Sequence, residues 1–119
     1  MTVGQNIFAE NADIEAIRVG GVEGKPTKGI AHLKHLLQGN HGLLIEISFE
    51  KGMVAPPHSH QHESYCYCVK GKIRATVGDA TYTLGAGDAV FHPKDVVHST
   101  EALENSVWIE VKSPPERTW

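Results

Sequence analysis

Gly52-Met53-Val54-Ala55-Pro56-Pro57-His58-Ser59-His60-Gln61-His62-Glu63-Ser64 is the stretch on which the reading of this chain turns. Each proline fixes its own φ and holds the residue before it extended, so the pair forms a stiff lead into the histidines. Side chains at i and i+2 of a strand share a face, so His58 and His60 can present two imidazoles to one point. Two ring nitrogens at ~2.0–2.1 Å make half of a tetrahedral metal site. The third ligand must come from another strand, and His98 is the best placed, at the start of a β-run beyond Pro93. His62 has the same strand parity and competes with water as a fourth ligand, whereas Glu63 points the other way unless the strand bulges. His92, directly before Pro93, reads as structural. The plain alternative is a set of surface or structural histidines in a polar loop.

Outward from this stretch the pattern is β. Leu43 to Phe49 is apolar and alternating at its end, Tyr65 to Val69 is aromatic and β-branched, and Lys72 to Val77 alternates charge with Ile73, Ala75 and Val77. Short runs follow at Thr81–Leu84, Ala89–Phe91, Val96–Leu103 and Val107–Val111. Lys70-Gly71, Gly78-Asp79, Gly85-Ala86-Gly87-Asp88 and His92-Pro93-Lys94-Asp95 supply turn chemistry between them. Many short strands with Gly/Asp turns indicate an all-β sandwich or barrel. A helical period shows only in residues 11–17, which could equally be strand before Gly20-Gly21. Pro114-Pro115 ends the last strand and begins what reads as an exposed tail. Within that strand Val107, Ile109 and Val111 form an apolar face, leaving Trp108, Glu110 and Lys112 on the other. The second face is either solvated, with Glu110 and Lys112 a weak surface pair, or the wall of a site, which a tryptophan among charges suits.

The chain's 119 residues make one domain, residues 1–119, too small for two lobes. Eleven basic and 14 acidic residues give a net charge of −3 with no basic stripe, which argues against a nucleic-acid partner. No apolar run approaches the ~18–20 residues that span a bilayer, and residues 1–5 lack the basic and apolar regions of a secretory signal, so no membrane role and a cytoplasmic location are expected. Cys66 and Cys68, the two cysteines, share a strand face and read as small buried hydrophobes. Eight histidines are far more than usual for this length, and their clustering asks for a chemical explanation.

The sequence resembles the cupin superfamily, whose first motif is G-x5-H-x-H-x(3,4)-E-x6-G and whose second is G-x5-P-x-G-x2-H-x3-N. Gly52, His58, His60 and Gly71 fall on the first, and Gly87, Pro93 and His98 on the second. The resemblance implies a double-stranded β-helix, or jelly roll, with one divalent metal ion inside its mouth. It also implies a homodimer formed by exchange of N-terminal strands, which residues 1–40 would supply to a barrel of residues 41–113, followed by a tail of residues 114–119. Ser64 stands at the motif's glutamate, Asp95 at its second glycine and Ala102 at its asparagine. Three neutral imidazoles remain, a set that suits Zn, Ni, Fe or Mn.

Among cupins the chain is most similar to small pectin-degradation cupins of the KdgF type. The stretch from His98 through Glu101-Ala102-Leu103-Glu104-Asn105-Ser106, and the ending Glu110-Val111-Lys112-Ser113-Pro114-Pro115-Glu116-Arg117, carry that likeness. It implies a small-molecule substrate of keto or uronate type, isomerisation, tautomerisation or lyase chemistry, and a catalytic role for Glu110. Lys112 replaces the family's aromatic and Glu116 its arginine. A three-histidine Fe(II) dioxygenase and a non-catalytic binding or sensing module are the other readings to be tested.

Overall fold

The computed structural model describes residues 6–119; residues 1–5 of the expected N-terminal arm lie outside the described residues. Two antiparallel sheets face each other. One holds β1 (Ile17–Arg18), β4 (Ala31–Gln38), β5 (Leu43–Phe49), β12 (Ser106–Ser113), β7 (Glu63–Lys70) and β10 (Ala89–His92) in the order β1-β4-β5-β12-β7-β10. The other holds β6 (Val54–His58), β11 (His98–Ala102), β8 (Ile73–Val77) and β9 (Ala80–Leu84) in the order β6-β11-β8-β9. A small ribbon, β2 (Gly21–Val22) with β3 (Lys25–Pro26), stands beside them. This is an all-β jelly roll. Among the described residues no helix is long and apolar enough to cross a membrane.

Strand alternation builds the interior. On β5, Leu43, Ile45, Ile47 and Phe49 are buried while Leu44, Glu46 and Ser48 are not, the period-two pattern of a half-buried strand. On β7 the inward set is Ser64, Cys66 and Cys68, with Tyr65 and Tyr67 exposed outside. Both thiols are free and buried. The 11–17 stretch is neither a full helix nor a full strand: it is a single 3-10 turn, Asn11–Asp13, followed by β1. Gly20-Gly21 leaves no room for propagation, and one turn of helix cannot outweigh its nucleation cost.

Three features place the site. First, β12 turns Trp108, Glu110 and Lys112 inward, with exposures of 0%, 2% and 1%, and leaves Val107, Ile109 and Val111 half-buried outside. Register explains it: Trp108 pairs with Ile47 and Cys68, Glu110 with Ile45 and Cys66, Lys112 with Leu43 and Ser64, and all those neighbours face the interior. Second, the β6–β11 ladder shifts by one residue between the pairs His98↔His58 and Thr100↔Ala55. Prolines cannot donate to a ladder, so Pro56-Pro57 sits at this bulge, which re-aims the residue that follows. Third, residues 114–119 correct the expected exposed tail. Thr118 and Trp119 are half-buried, and Trp119 packs against the core, because an indole gains more under the barrel rim than in water. Within the chain β4 pairs with its own β5.

Candidate metal centre

Five histidines converge at one end of the barrel, and all are buried: His58, His60, His62, His92 and His98. His58 ends β6 and His98 begins β11 directly across the ladder, while His60 lies two residues past β6. The Asp95 N–H donates to the His60 carbonyl at 2.8 Å and pins that residue. Asp95 holds φ at +63°, so the departure from the motif's glycine keeps glycine's backbone conformation, which aspartate tolerates better than most residues.

His58, His60 and His98 form a group whose ligand atoms all lie within 4.8 Å of one another. Their ring centroids are 4.3 Å (His58–His98), 4.7 Å (His58–His60) and 5.0 Å (His60–His98) apart. The Nδ1–H of His58 donates to the Pro56 carbonyl at 2.6 Å, and that of His98 to the Val96 carbonyl at 3.1 Å. Such bonds fix the tautomer and leave Nε2 as the bare lone pair. His58 Nε2 is buried with no hydrogen-bond partner, and a buried polar atom left so costs about 1–3 kcal/mol. A divalent cation would satisfy it. Glu23 Oε1 stands 3.5 Å from His60 Nδ1, which like His58 Nε2 is buried with no hydrogen-bond partner. The donor set therefore fits a metal ion of the zinc, nickel, iron or manganese kind.

His62 is not brought into this group. Its ring stacks on His60 at 4.3 Å, Nδ1 meets the Glu63 carbonyl and Ser64 Oγ at 3.2 Å each, and Nε2 meets Thr118 Oγ1 at 3.2 Å. His92 stacks on His98 at 3.8 Å and buttresses that ring. Glu110 also lies outside the trio, deeper along β12. Its Oε2 is 3.9 Å from Lys112 Nζ, and its Oε1 and the nearby Trp108 Nε1 are buried without partners. Two residues of the site left no usable signal in the sequence. Thr118 and Trp119 reach the pocket only because the chain doubles back after β12, and no periodicity or motif marks that return.

Burial sets the charge states. Desolvation first, then the neighbouring imidazoles and Lys112, pushes His60 and His92 down to about 2 and His98 to about 4. These rings are neutral at neutral pH, the form that ligates metal. Burial raises the Glu110 carboxyl and lowers the Lys112 ammonium, while each charge partly restores the other. The histidine shifts have a sign. An unfolded chain takes up protons at these rings below the ordinary value of 6.5, and the folded chain does not, so acid favours unfolding. The Tm of metal-free protein is expected to fall steadily from pH 6.5 to pH 5, above the range where most carboxylates titrate. A flat profile over that interval, measured by calorimetry, would contradict the buried neutral cluster.

A jelly roll carrying three imidazoles at one end defines a small cupin. The profile of the cupin domain family Cupin_2 matches residues 45–111, and the chain belongs to that family. The fold is similar to an RmlC-like cupin from Shewanella frigidimarina, with 25% identity, a TM-score of 0.81 and coverage of 92% of this chain and 93% of that one. It is also similar to KdgF from Halomonas sp., with 25% identity, a TM-score of 0.79 and coverage of 92% and 95%. A predicted oxalate decarboxylase from Thermotoga maritima matches at 20% identity and a TM-score of 0.79 over 90% and 98%, a likeness of fold alone. No curated protein matches the sequence.

Proposed function

We propose that this protein is a metal-dependent isomerase acting on a small keto or uronate compound. The observation that carries the reading is a buried carboxyl, Glu110, in the same barrel interior as the three-imidazole group. His58, His60 and His98 would hold the metal, which when bound polarises a carbonyl or enolate oxygen as a Lewis acid. Glu110 would move the proton. Held up by burial, its carboxyl titrates closer to neutral pH than an exposed one, as a group that both takes and gives a proton requires. Trp108 Nε1, buried and unpartnered, offers a donor on the same face.

The likeness to KdgF, in sequence pattern and in fold, favours ring opening of an unsaturated uronate. That reaction balances without an oxidant. The hemiacetal hydroxyl gives up its proton, the ring C–O bond breaks as the aldehyde forms, and one proton is added to the alkene carbon. Substrate and product are isomers.

The test follows the loss of ultraviolet absorbance of unsaturated galacturonate with protein purified without a His-tag. Acceleration above the spontaneous rate is expected, and Glu110→Gln should lower kcat by about 10²–10⁴ while metal content stays unchanged. No acceleration would reject the uronate reading. Oxygen uptake by the iron-loaded protein would assign it to the dioxygenases instead, and ligand-induced stabilisation without turnover to the binding modules.

A further inference from the structure

The segment after β12 closes over the site with polar atoms as well as an aromatic ring. Thr118 Oγ1 accepts a 2.6 Å hydrogen bond from Lys112 Nζ and lies 3.2 Å from His62 Nε2. The Thr118 carbonyl accepts from the Glu23 N–H at 3.1 Å, which ties the segment to the turn between β2 and β3. The Trp119 ring lies 5.7 Å from Lys112 Nζ and 6.4 Å, centre to centre, from His58. Its Nε1 is buried with no partner, so the indole fills space without a polar fit of its own.

Lys112 is the unusual member. It is 1% exposed, its hydrogen bond goes to one neutral hydroxyl, and its nearest carboxylate oxygen stands at 3.9 Å, beyond hydrogen-bond range. A buried ammonium has three donors and strongly favours an anionic, multiply accepting partner. His62 holds the other side of the same hydroxyl. Its Nδ1–H donates to the Glu63 carbonyl at 3.2 Å, which leaves Nε2 to accept from the Thr118 hydroxyl at 3.2 Å. Thr118 Oγ1 thus bridges the ammonium and the ring and, among the described residues, is the one group that satisfies Lys112 Nζ directly.

We propose that Lys112 anchors a carboxylate-binding subsite, and that the Thr118 hydroxyl and Trp119 indole are a strap standing in for the ligand there and displaced when it binds. The occupant is a small organic carboxylate, because a carboxylate offers two oxygens and a full charge where Thr118 offers one neutral oxygen. This deepens the reading of a keto or uronate substrate and rests on it for the choice of ligands. Its tests need no turnover.

Arg117 is exposed and precedes Thr118, so trypsin cutting at that bond reports whether the strap is lifted. Cleavage, followed by intact mass, is expected to be slow in the purified chain and to rise with pyruvate or galacturonate but not with galactose. Trp119 fluorescence should change in parallel. Thr118→Val removes the internal competitor and should tighten pyruvate binding by about tenfold, the scale of one hydrogen bond to a charged group, while Thr118→Ser should behave as the parent. Lys112→Met should abolish the carboxylate response in both measurements. Cleavage and fluorescence that ignore both carboxylates would overturn the strap. Uronate turnover with an unresponsive strap would leave the proposed reaction standing and remove this subsite; a responsive strap without turnover would do the reverse.

Discussion

His98→Ala is expected to abolish metal binding. Elemental analysis should find about one equivalent of divalent metal in the parent protein and none in the variant after dialysis. His98 is the member of the trio brought in from a separate strand, and its loss leaves two imidazoles, half a tetrahedral site. Thermal unfolding offers the second measurement. A ligand that binds only the folded chain stabilises it by about 4 kcal/mol when free metal is a thousand times Kd. For a domain of this size that is on the order of 10 °C in Tm or more. The parent should show that rise on adding metal and the variant should not. His62→Ala is the matched control. Its ring stacks on His60 and bonds to Ser64 and Thr118, so the variant should keep its equivalent of metal. Parent-like metal content in His98→Ala, or its loss in His62→Ala, would exchange the roles assigned here.

Gly71→Ala should be among the most damaging single substitutions in the chain. Gly71 has φ of +95°, and a Cβ there would lie 2.2 Å from Ser106 Oγ, 2.5 Å from the Asn105 carbonyl oxygen and 2.6 Å from Ser106 Cα. Two of those atoms are backbone, so the clash is relieved only by moving the start of β12. Ser106 Oγ accepts from the Lys72 N–H at 2.9 Å, and that bond would be disturbed as well. Left-handed strain of about 1–3 kcal/mol adds to the steric overlap, and a total loss of about 3–5 kcal/mol is expected in denaturant unfolding. Gly52 makes the comparison. It also stands at a motif glycine with positive φ, +92°, but nothing lies within 4 Å of its would-be Cβ. Gly52→Ala should therefore lose only the strain, about 1–2 kcal/mol. Equal losses at the two positions would show that backbone conformation alone, and not the close approach of β12, sets the requirement.

Much of the fold is legible in the sequence because its rules are local. Leu43 to Phe49 alternates and becomes β5 with those same ends. The runs from Tyr65 to Val111 become β7 to β12 with ends shifted by at most two residues, as turn glycines and Asp88 or Asp95 close each hairpin. Strand β4 is harder to see. His32, Lys34 and His35 interrupt its apolar residues, and its identity depends on pairing with β5 rather than on its own pattern. Residues 11–17 fail for the opposite reason: their helical period is real but too short to sustain a helix.

The sequence by itself determined an all-β domain and the shared face of His58 and His60, since strand alternation and proline stiffness act between near neighbours. It narrowed the third ligand to His98 by motif spacing. Only the tertiary structure decided which way Trp108, Glu110 and Lys112 face, because alternation defines two sides of a strand without saying which one a second sheet covers. It alone separated His62 from the trio and folded Thr118 and Trp119 onto Lys112. Those outcomes depend on contacts between residues dozens of positions apart, and the geometry of such contacts exists only once the two sheets have closed.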